Sequence, residues 1–332
     1  MAETIINDKT TFHVMLNTSL NVAMWPSSLG KFETRGGREG DLYYAIGPVC
    51  KRAMPCCHGY NLVMPTAYFF IDGAYFKERY QQSMTQIFGI DAEPDLSRLS
   101  NWLQMRGGSY VVQRVFYYDC LHDIKKQGES ESEFMARFEK QQTRFDKIQT
   151  LTGFHVRLGS LSGSAKKVRQ KKVDVLLAVE ALDHAFRKNM DACFLLAGDL
   201  DFAPLVDSLV RLGTWVEVLY DPRSAAKELY TAADRSFPLR LEDYYGFSSD
   251  DFRAANQIPY STAGFRPGQG ETHLKRGHTG TGEQVILGRL NADHFLWIQA
   301  KTGTQTAVWH NRTDVLENYV KEMICEVTWD ST

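Results

Sequence analysis

The sequence predicts an α/β fold, a parallel sheet between helices, with a small α+β module at the C-terminus. Three observations predict it. Short, unbroken apolar runs recur between residues 65 and 245, as "PTAYFFIDGAY", "YVVQRVFYYD", "FHVRLG", "ACFLLAGD", "TWVEVLYD" and "FPLRLED", and such runs suit strands buried on both faces. Segments of helical period separate several of them, at 131–150, 172–189, 202–212 and 224–234. Strands that alternate with helices pair in parallel through right-handed crossovers. Finally, a period-2 pattern resumes after a polar, Gly-rich stretch, in "EQVILGRL", "HFLWIQAK" and "TAVWHN", and ends in the amphipathic "RTDVLENYVKEMICEV".

These patterns divide the chain into four parts. Residues 1–64 are punctuated by Gly and Pro and suggest no fold. Residues 65–245 form the α/β domain. Residues 246–282 read as a linker, and 283–332 as the α+β module, with Trp297 and Trp309 inside its strand-like runs. The module is expected to fold separately and to act in ligand capture for the α/β domain or in self-association as a homo-oligomer.

Composition excludes several classes. A chain of 332 residues, 43% apolar and 23% charged, buries a full core without disulfide staples. Its net charge of -2 gives no general attraction to polyanions or anionic membranes, so any polyanion site is local. No apolar stretch approaches the ~18 residues of a spanning helix, and "MAETIINDKT" is no secretory leader, so a cytoplasmic protein without a membrane partner is expected. The six cysteines lack disulfide or zinc-ribbon spacing. Cys50, Cys56, Cys57 and His58 are four potential zinc ligands, but adjacent cysteines rarely reach one tetrahedral ion together.

The chemistry concentrates in carboxylates. In an open parallel sheet, ligands bind beyond the carboxyl ends of the strands, where the strand order reverses. Asp72 ends the first strand of the domain, and Asp199 and Asp201 follow the fourth, in "LLAGDLDFAPLV". Asp174, in "KKVDVLLAVEAL", opens a helix whose dipole favours an anion there. Acids gathered at such a crevice repel unless protons or a cation neutralise them, and magnesium or manganese, which take oxygen ligands, meet that need. A single Asp at a strand end is ordinarily a turn former or a cap, and Asp201 before "FAPLV" suits an N-cap. Caps do not account for acids that end two apolar strands and open a third element.

"FFIDGAYF", "KKVDVLLAVEAL", "CFLLAGDLDFAPLVDSLVRLGTWVEVLY" and "LYTAADRSFPL", in this order, resemble the NYN domains of the LabA-like group, within the PIN-like nuclease superfamily. The resemblance spans roughly residues 66 to 242. It implies a metal-dependent endoribonuclease using Mg2+ or Mn2+ on single-stranded RNA. Carried over, Asp72 is the first-strand acid, Asp174 the acid of the Val-Asp-Val motif, and Asp199 and Asp201 the pair after the fourth strand. Two positions depart from the family pattern: Tyr75 stands where Asn is frequent, and Ala197 where Ser often precedes the Gly-Asp.

Substrate contacts are expected from "GSAKKVRQKK", a basic loop in which Lys166, Lys167, Arg169, Lys171 and Lys172 immediately precede Asp174. Arg114 is a further candidate, as is Tyr75; Tyr117 and Tyr118 suit the core better than a stacking platform. His155 and His184 read as packed core histidines, and Glu180 points away from Asp174 around its helix. Two other classes compete. A catalytically weak PIN-like module would bind RNA or assemble partners without turnover, and a glycosyltransferase would use Asp-x-Asp on a nucleotide sugar but would not need Asp72 and Asp174. Dehalogenase-like phosphatases carry Asp-x-Asp on the first strand, not late in the sheet.

Overall fold

The computed structural model describes residues 64–122, 124–164, 167–171, 173–268 and 270–330, with the backbone alone over 160–171. The expectations for residues 1–63, including the Cys50, Cys56, Cys57 and His58 group, lie outside the described residues. The α/β part begins with β1 (Thr66–Asp72), α1 (Gly73–Phe88), α2 (Leu96–Arg106), β2 (Val111–Cys120) and α3 (Glu131–Gln149). It continues through β3 (Phe154–Ser164), β4 (Lys167–Lys171), α4 (Val173–Phe186), β5 (Ala192–Leu196) and a 3-10 turn (Leu200–Phe202). It closes with α5 (Ala203–Arg211), β6 (Trp215–Tyr220), α6 (Lys227–Thr231), β7 (Arg235–Pro238) and α7 (Leu241–Gly246).

The sheet has the order β4-β3-β2-β1-β5-β6-β7. Six strands from β3 to β7 run parallel, and β4 alone is antiparallel, against the end of β3. The apolar runs are buried on both faces, as their composition requires. Phe69, Ile71, Val115, Tyr117 and Phe194 face α1, α2, α3 and α7, while Phe70, Phe116, Tyr118, Leu195 and Val218 face α4, α5 and α6. Phe69 stacks on Phe194 at 4.5 Å, and Phe70 on Phe116 at 5.2 Å.

The helix ends follow their capping chemistry. Asp72 caps α1 by accepting the Tyr75 N–H, and α1 stops at Gly89, whose φ of 71° suits a residue without a side chain. Ser130 and Glu133 form a capping box on α3. Helices α1 and α2 carry no sequence expectation. The basic stretch 163–172, expected as a loop, is largely strand: Ser160–Ser164 pairs antiparallel with Lys167–Lys171, which gives partners to backbone groups of β3 that reach past β2.

The segment 246–282 is not a structureless linker. It holds α8 (Asp250–Ala255), β8 (Tyr260–Ala263) and β9 (Thr272–Thr279). Phe247 is buried against Phe76, Trp102 and Tyr244, its carbonyl accepts the Asp95 N–H at 2.7 Å, and Ser248 hydrogen-bonds Tyr80 at 2.8 Å. Strands β8 and β9 join β10 (Gln284–Leu290), β11 (Asp293–Gln299), β12 (Gln305–His310) and β13 (Val327–Trp329) in a second, antiparallel sheet of order β13-β9-β10-β11-β12-β8. The expected three strands and helix are its centre, β10 to β12 followed by α9 (Thr313–Met323).

Helix α9 covers one face of this sheet with Leu316 and Val320, and turns Val315, Tyr319 and Met323 toward the core of the α/β part. Arg312 and Asn318 donate to the carbonyls of Phe88 and Ile87 at the end of α1, both at 3.4 Å. The opposite face packs Trp297 and Trp309 against Phe295 and Phe265, and both indole N–H groups are engaged, on the Phe265 carbonyl and the Thr262 hydroxyl. They are core residues rather than stacking platforms for bases.

The packing of Phe247 leads to a measurable expectation. Phe247→Ala should lower the unfolding free energy by about 3–5 kcal/mol, the cost of emptying a buried aromatic site. Urea denaturation followed by tryptophan fluorescence measures it, and a loss below about 1 kcal/mol would show that the segment after α7 is not part of the core.

Candidate functional site

The strand order reverses between β1 and β5: the chain moves outward from β1 to β2 and β3, then returns to β5 on the other side. β1 and β5 pair in parallel up to Ile71 opposite Leu196. Asp72 is the next residue on β1, and Asp199 lies three residues beyond the end of β5. A crevice at such a reversal needs no special sequence, because the connections leaving its two strands diverge.

Two glycines let the segments close around it. A Cβ on Gly73 would meet the Tyr117 ring at 2.4 Å and the Tyr118 carbonyl oxygen at 2.7 Å. A Cβ on Gly198 would meet the Tyr75 ring at 2.3 Å, so that ring lies flush on the backbone before Asp199. The Tyr75 hydroxyl accepts the Asp221 N–H at 2.8 Å and lies 3.3 Å from the Ser224 hydroxyl. Asp221 is fully buried and held by two bonds from Arg223, at 2.6 and 2.9 Å. Tyr75 therefore ties the start of α1 to the loops after β5 and β6, and its hydroxyl is occupied within the protein.

The acids share one electrostatic field. Burial pushes the Asp72 carboxyl up to about 6, opposed by the Tyr75 N–H it accepts at 3.0 Å and reinforced by the charges of Asp174 and Asp119. Asp174, in the first turn of α4, is also raised, by burial and then by Asp199 and Asp201. Asp199, not Asp201, caps the short turn, accepting the Asp201 N–H at 3.0 Å, and Asp201 lies within it.

Asp119 was not anticipated from sequence. It follows Tyr118, the register partner of Asp72, and is buried with its carboxyl raised by desolvation against the pull of Arg144, 3.8 Å away. The signal was the one that marked Asp72: an acid at the end of an apolar strand.

Among the described residues no three His, Cys, Asp or Glu side chains are gathered closely enough to hold an ion as a ready ligand set. The donor chemistry nonetheless fits a hard divalent cation: every group is a carboxylate, their charges oppose one another, and among the described residues Asp72, Asp174, Asp199 and Asp201 are in no ion pair. Magnesium in particular uses one or two carboxylates and retains waters, so a dispersed acid set suits it better than a closed cage would.

The other expected contacts fare differently. Arg114 is not at the crevice. It pairs in register with Tyr68, four residues before Asp72, which places it about 13 Å back along the sheet, where its guanidinium sits over the Tyr68 ring. Tyr117 and Tyr118 are buried, Tyr118 donating to Glu180, which also takes a forked pair from Arg157. His155 and His184 stack on Phe116. Lys166, Lys172 and the side chains of Lys167, Arg169 and Lys171 lie outside what is described.

Among solved structures, a protein of unknown function from Vibrio parahaemolyticus is 17% identical, with a TM-score of 0.41 over 55% of this chain and 97% of that one. The alpha-fucosidase of Thermotoga maritima is 9% identical, with a TM-score of 0.16 over 80% of this chain and 94% of that one. Neither score is high enough to carry a likeness of fold. No curated protein matches the sequence. Residues 68–240 do match the family described as NYN domain, a span that runs from within β1 to just past β7 and contains Asp72, Asp119, Asp174, Asp199 and Asp201. The chain belongs to the NYN-domain family, within the PIN-like nuclease superfamily.

Proposed function

We propose that the protein is a metal-dependent endoribonuclease of the LabA-like group that hydrolyses phosphodiester bonds of single-stranded RNA at Asp72, Asp174, Asp199 and Asp201. One observation carries this reading: carboxylates from β1, from α4 and from the turn after β5 act on one another at the strand-order reversal, and among the described residues none of the four is in an ion pair. A bound divalent cation supplies a water of lowered pKa and positive charge toward the phosphoryl oxygens.

The chain's own contribution is placement. Asp72 is fixed at the start of α1 by the Tyr75 N–H, and Asp199 by the Asp201 N–H, so both carboxylates are held before any ligand arrives. Asp174 and Asp201 complete the acid set from a helix start and a tight turn. These are the groups that would hold the cation, which would supply the activated water and charge for the displacement.

Tyr75 favours a second reading. Its ring fills the place beside Gly198, and its hydroxyl is committed to Asp221 and Ser224, so the carboxamide frequent at this position in the family has no equivalent here. A module that keeps the acid set for RNA binding and turns over slowly or not at all is consistent with that exchange. A cytoplasmic setting is part of the proposal. Cys193 and Cys325 as free thiols support it, and no described helix is long and apolar enough to cross a membrane.

The decisive assay uses labelled single-stranded RNA. Cleavage with manganese or magnesium should be abolished by EDTA, be restored by excess metal, and fall by orders of magnitude in Asp199→Asn and Asp174→Asn. Full cleavage in chelator would end the metal mechanism, and RNA binding without cleavage would favour the second reading.

Asp72 gives a pH-dependent expectation for the metal-free protein. Its carboxyl titrates near 6 when folded and near 3.8 as an unperturbed group, so folding is favoured by the protonated form. That contribution is complete below about pH 4 and is lost as the pH rises through 6. Asp72→Asn, which can still accept the Tyr75 N–H, should therefore stabilise the protein in EDTA by up to about 3 kcal/mol at pH 8. The gain should shrink toward zero near pH 4. Unfolding curves from pH 4 to 8 test this, and a gain independent of pH would place Asp72 outside the repelling set.

A further inference from the structure

A second feature lies beside the acid centre on the α1 and α3 side of the sheet. A cavity of about 860 Å³ opens between these helices, and its lining includes Ala74, two residues after Asp72, and Asp119. Arg137, Lys140, Arg144 and Lys147 line it from α3. Their spacing of three, four and three residues puts them on one helical face, about 15 Å long.

These cations are not equivalent. Arg137 is consumed by a forked pair with Glu129 and by the carbonyls of His122 and Ile124. Arg144 is divided between Asp119 and the Tyr117 hydroxyl. Lys77, on the α1 side, pairs with Glu93 at 3.1 Å. Lys140 and Lys147 are exposed, and their ammonium groups have no carboxylate or hydrogen-bond partner among the described residues, the Lys147 carbonyl alone accepting from Thr150. A concave wall thus presents two uncommitted ammonium groups one above the other, with Arg144 between them, and its lining reaches Asp119 and Ala74, two residues after Asp72.

We propose that this cleft binds the phosphodiester backbone of single-stranded RNA on Lys140, Arg144 and Lys147 and guides the strand to Asp72. The inference rests on the ribonuclease reading and assigns the substrate a path which that reading leaves open. Arg144 has a double part: it partly offsets Asp119 at the inner end of the cleft and offers its remaining N–H groups to a phosphate. The wall acts by charge and is indifferent to sequence, so the affinity it contributes is strongly salt-dependent.

The test measures binding of a fluorescent 20-nucleotide RNA to the full chain in EDTA, which prevents cleavage, from 50 to 200 mM salt. The Lys140→Ala, Lys147→Ala double variant should bind on the order of tenfold or more weakly at the lowest salt, with the slope of log affinity against log salt reduced by about 1.4, or 0.7 for each lost contact. Lys140→Arg with Lys147→Arg should keep the wild-type slope, and so should Lys301→Ala with Lys321→Ala, a matched charge loss outside the cleft. With manganese present, the alanine double variant should cleave the 20-nucleotide RNA more slowly at subsaturating RNA, in step with its weaker binding. A wild-type salt slope in that variant, while the wild-type protein binds and cleaves the RNA, would overturn this inference and leave the ribonuclease reading standing. Failure of the wild-type protein to bind the RNA in EDTA would likewise overturn this inference, whereas only failure to cleave it with manganese or magnesium would remove the ribonuclease reading.

Discussion

β1 and β5 pair in parallel from Ala67 opposite Ala192 to Ile71 opposite Leu196, and the acid centre depends on that contact. The two strands are more than 100 residues apart in the chain, and only their pairing brings Asp72 and Asp199 to the same edge. The pairing is secured by burial on both faces rather than by anything at the edge itself. Phe69 and Phe194 stack on one side of the sheet, and Phe70 and Leu195 lie in the core on the other. A register slip of one residue would exchange these faces and break the stacked aromatic pairs on each, so the positions of the carboxylates are set by the apolar residues behind them. The cost of holding like charges together is carried by the same core.

Much of this was legible because the strands are buried on both sides. Such strands read as unbroken apolar runs, and an acid at the end of one interrupts the pattern visibly; Asp72 and Asp199 were found in that way. Asp119 ends "VFYYD" by the same rule and was passed over, since its nearness to Asp72 depends on β2 being the neighbour of β1. Helix α1 keeps apolar residues at Phe76, Tyr80, Met84, Ile87 and Phe88, but the polar residues between them obscured the period. Strands β8, β9 and β13 were harder still. In β9, "THLKRGHT", six of eight side chains are exposed, so no apolar alternation marks it, and its place comes from backbone pairing with β10 and β13. The cleft between α1 and α3 was invisible for a further reason: which face of α3 turns toward Asp119 is decided by the sheet, not by the helix.

Tyr75 shows how a departure from the family pattern is absorbed. A larger side chain at the start of α1 found room because Gly198 has no Cβ, and its hydroxyl found a donor in the backbone of Asp221. That aspartate is itself held by Arg223, which also reaches Ser83 and Gln86 on α1. The loops after β5 and β6 are thus pinned to one helix through a tyrosine and an arginine. Tyr75 is a brace between the start of α1 and the loops that border the crevice.

The seating of α9 on the far end of α1 has a bearing on how the protein is made. Helix α1 leaves the ribosome early, with the apolar surface around Ile87 and Phe88 complete but bare. Phe88 meets Tyr245 and Phe252 first, and the last part of its cover, Val315, Tyr319 and Met323 of α9, emerges more than 200 residues after α1. At ~5–20 residues per second that delay is roughly ten to forty seconds, far longer than helix formation or collapse of the nearby segments. During this interval the nascent chain carries a partly uncovered apolar helix end next to a nearly finished sheet, a state that invites chaperones or unwanted contacts between neighbouring chains on a polysome.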